Sequence, residues 1–311
     1  MIAQQQDPTA LLAPYSDCGR LLQFCQREPI GYRHIIHYLS SPVPDYDAAL
    51  AAYYPGMAPV TSSRYFVDNT EHISLLADNW DGRLRLEGNE THVSKEALQE
   101  WCAQQQPRGA ASTSESLTEL LQQVVSPDGW SVNFHYSVTP ERFRECRQHR
   151  VSELSPANAQ ELQQFFKRSS DTPFLTIERA NVNLSRDIGW MNQGLPVKVY
   201  GVYKDGSIVG LCSVFQMTAA CDEVSRLYVP KEFRGRGYGK SLLSAATKDI
   251  LAQNRQPGFA VGGDLEVLGR LLGSLGYSIA CRFWHWRYWW DVPVLAKSGR
   301  DTASHTEPKG P

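Results

Sequence analysis

Apolar positions recur along the chain with two spacings, and each predicts its own kind of element. In KVYGVYKDGSIVGLCSVFQM, beginning at Lys198, two strand-like runs flank Lys204-Asp205-Gly206-Ser207. An Asp-Gly pair in that position predicts an antiparallel hairpin, since both residues tolerate positive φ. EVSRLYV, 223–229, predicts another strand closed by Pro230. Further on, SLLSAATKDILAQ places Leu242, Leu243, Ala246, Ile250 and Leu251 on one helical stripe. A strand over 258–261, a helix over 265–275 closed by Gly276 and an aromatic strand over 278–290 follow.

Upstream, helical spacing predicts helices over 21–38, 47–54, 94–104 and 116–125, around strands over 63–67, 72–76 and 130–138. In SPANAQELQQFF, Ser155 suits a helix N-cap and Pro156 the first helical position, with Leu162, Phe165 and Phe166 facing inward. QQQPRGAASTSES, 104–116, is small, polar and broken by Pro and Gly, which predicts an exposed linker. No internal repeat is visible. The fold class is therefore α/β (α+β), with an N-terminal α/β domain over 1–140, a second domain after it, and a disordered tail over 293–311 that lacks apolar anchors.

Composition narrows the function. A length of 311 residues exceeds a typical single core and predicts about two domains. Hydrophobic residues at 42% and charged residues at 21% exclude disorder as the main state. A formal net charge of -2 shows no basic excess, so nucleic acid is not an expected partner and any phosphate must be met locally. Seven cysteines lie scattered with no CxxC pair, which predicts reduced thiols in a cytoplasmic protein and no structural zinc. The N-terminus carries no secretory pattern and no run is long enough to span a membrane.

The stretch that carries chemistry is EFRGRGYGKS, 232–241, between a predicted strand and a predicted helix. The start of a helix exposes unpaired N–H groups and the positive end of the dipole. A turn of bare residues feeding into one is therefore an anion site. Gly235, Gly237 and Gly239 remove the Cβ at alternate positions, while Arg234, Arg236 and Lys240 add charge suited to a pyrophosphate. A Walker loop would need Gly where Arg234 stands, and the dinucleotide fingerprint would need Gly at Lys240 or Leu242, so neither motif fits.

Arg234-Gly235-Arg236-Gly237-Tyr238-Gly239 does fit [Q/R]-x-x-G-x-[G/A], and in VSRLYVPKEFRGRGYGKSLL it resembles the acetyl-CoA loop of the GNAT superfamily of N-acetyltransferases. The hairpin, the later helix ending in LGY (275–277) and the final strand follow in that family's order. The resemblance implies a GNAT domain over 148–292, with a mixed, mostly antiparallel twisted sheet flanked by helices. It implies that acetyl-CoA is the co-substrate, with no metal, and that acetyl passes directly to a small-molecule or peptide amine in a ternary complex.

By the same resemblance the backbone of Leu227, Tyr228 and Val229 would bond the pantetheine arm where the strand splays from its neighbour, and the amides from Arg234 to Lys240, Tyr238 included, would hold the pyrophosphate. Glu223 stands where several family members carry a general base. The strand from Glu223 to Val229 spans roughly 20 Å at about 3.3 Å per residue, comparable to an extended pantetheine arm. Strict alternation would put Glu223, Ser225, Leu227 and Val229 on one face and Asp222 on the other. A base is needed because an amine with a pKa of about 10.4 is almost wholly protonated at neutral pH. The tyrosine that often serves as general acid is replaced by Leu272, and an asparagine often found near the start of the same helix is absent around Gly263, Asp264 and Leu265. Tyr277 and Tyr288 are the substitutes at hand, though a tyrosine on a buried strand is more often core.

Other features have a bland reading beside a functional one. CRFWHWRYWW, 281–290, is either the wall of an acceptor pocket or a strand buried by the core and by the N-terminal domain or a second subunit of a homodimer. His285 within it is a base or a hydrogen-bonded core residue. His34 and His37 have a spacing seen in metal sites but no carboxylate or cysteine nearby in sequence. Cys221, close to Glu223, leaves room for a covalent intermediate. NWDGRLRLEGN, 79–89, reads as a polar-aromatic loop that helps line the acceptor site. The N-terminal half, which has no RxxGxG, resembles in layout the degenerate first unit of two-domain GNAT proteins such as the glycine N-acyltransferase type, implying support and substrate gating. A CoA-binding regulatory or scaffold protein that lost its acid is the alternative, and a nucleotide-binding module a third.

Overall fold

The structure, a computed structural model, describes residues 12–32, 35–36, 39, 65–80, 82–89, 93–126, 128–168, 197–216, 218–262 and 266–286. The calls on His34, His37, Arg287, Tyr288, Trp289, Trp290, Gly263, Asp264, Leu265, the helix over 47–54 and the tail over 293–311 lie outside these residues, as does the side chain of Phe166.

The described chain runs β1 (Ala13–Tyr15), α1 (Cys18–Cys25), β2 (Tyr65–Val67), β3 (Leu75–Trp80), β4 (Arg83–Gly88), α2 (Lys95–Gln105), β5 (Gly109–Ser112), α3 (Glu115–Val124), β6 (Trp130–Ser137), β7 (Val151–Leu154), α4 (Ala159–Arg168), β8 (Val197–Lys204), β9 (Ser207–Gln216), β10 (Cys221–Tyr228), α5 (Tyr238–Ala252), β11 (Gln256–Gly262), α6 (Glu266–Ser274) and β12 (Ser278–Trp286). All the strands join in one mixed, mostly antiparallel sheet, in the order β1-β2-β3-β4-β5-β12-β6-β11-β10-β9-β8-β7.

That order reveals a repeat which the amino-acid sequence hides. Read from either edge, three antiparallel pairs lead to one parallel pair, β4 with β5 and β10 with β11. The last strand of each unit crosses to the other: β12 pairs with β5 and β6 with β11, while β12 and β6 pair antiparallel at the centre. Helices follow the same rule. α2 and α3 cover one face of the first unit through Leu98, Trp101, Leu117 and Leu121, and α5 and α6 cover the second through Leu242, Leu243, Ala246, Ile250 and Leu272. α1 and α4 pack on the opposite face.

Most predicted elements form. The Asp-Gly hairpin turns with both central residues at positive φ, 50° at Asp205 and 76° at Gly206. Ser155-Pro156 opens a 3-10 turn that leads into α4, burying Leu162 and Phe165. Three expectations are corrected. The 104–116 stretch is not an exposed linker: its Gly109–Ser112 forms β5, buried throughout between β4 and β12. Residues this small leave no side-chain periodicity to read, yet their ladders tie both units together. The 79–89 stretch is a hairpin rather than a loop, with Arg85, Leu86 and Glu87 buried on β4. α1 ends at Cys25 rather than running unbroken through Pro29, which supplies no amide and bars the helical region to the residue before it.

Leu242 is fully buried where α5 meets β9, and Gly210 beneath it leaves only 3.1 Å between its virtual Cβ and Leu242 Cδ1. Leu242→Ala should therefore lower unfolding free energy by about 3 to 5 kcal/mol in urea melts, since packed backbone cannot collapse into the cavity.

Candidate active site

β10 and β11 run parallel from Cys221↔Gln256 to Val224↔Phe259, and there the ladder stops. Both strands continue, β10 to Tyr228 and β11 to Gly262, so their facing backbone edges part. On its other side β10 stays paired with β9, but with a bulge between Ser225↔Ser213 and Tyr228↔Leu211. The extra residue reverses the alternation. This corrects the strict alternation expected from sequence: Leu227 and Val229 pack toward α5 with Val224, whereas Tyr228 lies in the core on the opposite face. Glu223 and Ser225, which alternate with Val224, share that opposite face. Asp222 points toward α5, where Arg255 Nη2 stands 3.1 Å from its carboxylate.

After Pro230 a single 3-10 turn, Lys231–Phe233, brings the chain to the glycines. Gly235 and Gly237 take positive φ of 74° and 84°, conformations that cost other residues strain. Gly237 is the N-cap of α5 and supplies no capping side chain. Among the described residues, no protein acceptor takes the amides of Gly235, Arg236, Gly237, Tyr238, Gly239 or Lys240; the first bonded one is Ser241 N, to Gly237 O at 3.0 Å. These open amides sit at the positive end of a helix of 15 residues. Arg236 is exposed and Lys240 half-buried beside them. Arg234 is partly committed elsewhere, donating Nε to Val229 O at 2.8 Å and so bracing the turn.

The equivalent place in the first unit is closed. The β4/β5 ladder also stops early, at Arg85↔Ala111, but the Glu87 carboxylate fills the gap by accepting the amide of Thr113 at 3.1 Å and pairing with Arg85 Nε at 2.7 Å. The Ser94 hydroxyl caps α2 by accepting the amide of Ala97 at 3.1 Å. One unit presents bare amides and the other presents side chains bonded to its own backbone.

Sequence reasoning missed the strap behind the loop. His149 Nε2 lies 2.6 Å from Arg236 O, its ring stacks on Tyr238 at 4.1 Å, and its amide donates to Ser241 Oγ at 3.2 Å. The Gln148 amide nitrogen reaches the same carbonyl at 3.4 Å. Glu145 anchors the strap, its carboxyl held down at about 2 by the hydrogen bonds of Arg147 and Lys248. A cavity of about 360 Å³, lined by Cys146, His149, Ser241 and Lys248 among others, lies on this strap side of α5 and does not include the residues of the β10/β11 split. No motif marks these residues, because they act through backbone carbonyls and stacking. His149→Ala should lower the melting temperature by a few degrees, the worth of one net hydrogen bond of about 1 kcal/mol, in thermal melts.

Among the described residues, neither position considered for a general acid offers a free hydroxyl. Leu272 is fully buried, and Tyr277 is core: its hydroxyl lies 2.7 Å from Thr247 Oγ1 and burial pushes its pKa up. His285 is buried on β12 with its ring stacked on Phe283 at 6.1 Å. Cys221 faces Pro29 and lies fully buried.

A twisted mixed sheet whose parallel pair parts ahead of a glycine turn and a helix is the GNAT fold. Residues 196–278 match the family model described as an acetyltransferase (GNAT) domain. No curated protein matches significantly. Among solved structures, a Drosophila protein is 14% identical, with 89% of this chain and 98% of that one covered at a TM-score of 0.56. An acetyltransferase of the GNAT family from Colwellia psychrerythraea is 13% identical, with 88% and 98% covered at 0.54. Both likenesses show the fold, across both units. A GNAT-family chain from Novosphingobium aromaticivorans, 15% identical at a TM-score of 0.38, is spanned over 63% of its length. Among the described residues no helix is long and apolar enough to cross a membrane.

Proposed function

We propose that this chain is an acyl-CoA-dependent N-acyltransferase that moves acetyl from acetyl-CoA to an amine by direct attack in a ternary complex. The observation that carries this reading is the run of amides from Gly235 to Lys240 with no acceptor among the described residues, at the head of α5 and in line with the parting of β10 from β11. The amides, with Arg234, Arg236 and Lys240, bind the pyrophosphate, and the backbone of Leu227, Tyr228 and Val229 receives the pantetheine arm. Glu223, on the face away from α5, takes the proton of the attacking amine. The amine nitrogen then bonds to the thioester carbonyl carbon while the C–S bond breaks, and the extra proton left on nitrogen passes through water to the departing sulfur. A leaving thiol of pKa about 8.5 departs as thiolate without an obligatory acid. The first unit, its own split filled by Glu87, is a degenerate GNAT-like unit that supports the second.

The test is thiol release from acetyl-CoA across a panel of amines: turnover of at least one amine supports the reading, and CoA binding without turnover of any would sink it. The second reading, a CoA-binding regulatory protein of little activity, draws on the fully buried Leu272 and the core-bound Tyr277 hydroxyl, and the same assay decides between them.

A further inference from the structure

The link after α1 leaves its own unit. Cys221 Sγ approaches Pro29 O at 4.0 Å, and Ile30, buried, packs against Cys221, Phe215 and Cys281 of the second unit. The Gly31 carbonyl accepts Arg85 Nη2 at 2.6 Å. Arg85, itself buried, pairs with Glu87 and lies over the rings of Tyr32 and Phe283 at 5.7 and 5.1 Å.

Both cross-strand neighbours of Glu223 meet Ile30. Phe215, its partner on β9, packs against Ile30. At Gly258, its partner on β11, a Cβ would lie 3.9 Å from Ile30 Cδ1. Cys221 and Glu223 project from the same face of β10, because Val224 between them and the bulge faces α5. The α5 side is filled by core, so an amine reaches Glu223 from the side on which Ile30 stands. On that face β11 offers only Gly258, Ala260 and Gly262, since Phe259 and Val261 point into the core. Of the side chains raised beside Glu223 on that face, Ile30 and Phe215 are apolar, while Ser137, His135 and Asn133 of β6 stand across β11.

We propose that Ile30 is a specificity-determining residue of the acceptor site, contributed by the first unit and held in place by Arg85, and that it selects amines bearing a compact apolar group on the carbon next to nitrogen. This rests on the acetyltransferase reading above. Arg85 acts as a positioning residue: its bond to Gly31 and its place between two rings set how far Ile30 projects.

The experiment measures thiol release from acetyl-CoA with a series of primary amines whose carbon next to nitrogen carries hydrogen, methyl, isopropyl or phenyl. In Ile30→Ala, kcat/KM for the phenyl member relative to the methyl one should rise about tenfold, the scale set by a few methylenes in an apolar pocket, with KM for acetyl-CoA unchanged. Ile30→Val, which is safe for folding, should shift the ratio in the same direction by a smaller factor. Arg85→Lys should flatten the ranking without changing KM for acetyl-CoA. An unchanged ranking in Ile30→Val and Ile30→Ala, with the parent protein active, overturns this inference alone. A parent protein that binds CoA and turns over no amine overturns the acetyltransferase reading and this inference with it.

Discussion

Gly239→Glu should abolish acetyl-CoA binding while leaving the melting temperature within a few degrees of the parent. Gly239 lies in the first turn of α5 with helical backbone, and a Cβ there would meet only Val229 Cγ2 at 3.7 Å, ordinary van der Waals contact. Glycine in a helix is itself unfavourable, so any side chain helps the helix by up to about 1 kcal/mol. The carboxylate, however, would project among amides that await an anion, competing for them and repelling the phosphates. Losing two charge-assisted bonds at about 1.5 to 3 kcal/mol each weakens binding at least 100-fold. Gly239→Ala should bind normally. Gly237 is a poorer probe, since its φ of 84° and a virtual Cβ 2.1 Å from Gln148 Oε1 would mix loop distortion into the result. Isothermal titration with CoA separates these cases, and normal affinity in Gly239→Glu would remove the pyrophosphate site from this loop.

Glu223→Gln should lower kcat by about 100- to 10,000-fold, the usual share of a positioned base, with acetyl-CoA affinity unchanged. The amide is nearly the same shape and keeps the strand neighbours Phe215 and Gly258 undisturbed. The sign of the pH response follows from the acceptor. Below an amine pKa of about 10.4, each unit of pH supplies about tenfold more free amine. The variant, which relies on solution for deprotonation, should therefore climb steeply with pH and recover part of its deficit in alkaline buffer. A kcat like that of the parent at neutral pH would move the base elsewhere.

How much of this was legible in the sequence depended on whether a feature was built from side chains or from pairing. The glycine turn could be read because it is a pattern of absent side chains, whereas Glu223 enters the proposal only through its distance from that turn. The bulge between Ser225 and Tyr228 left no mark, since one extra backbone residue has no composition. It nevertheless decides which residues share a face with Glu223. β5 was hidden for a related reason: Gly109, Ala110, Ala111 and Ser112 read as a connector, and only partners distant in sequence make them a strand. The repeat was invisible because the two units share pairing topology while the residues of their splits differ, Gly235 and Gly237 in one against Glu87 and Ser94 in the other.

The exchanged terminal strands bear on how the protein can be made and cut. β12 must find β5, far back along the chain, and β6 must find β11 across a shorter but still long stretch of sequence. Contacts of such span are slow to form, so assembly should be late and cooperative rather than half by half. A fragment started after residue 138 would leave one edge of β11 and both edges of β12 without their partners, templates for self-association in place of a working domain.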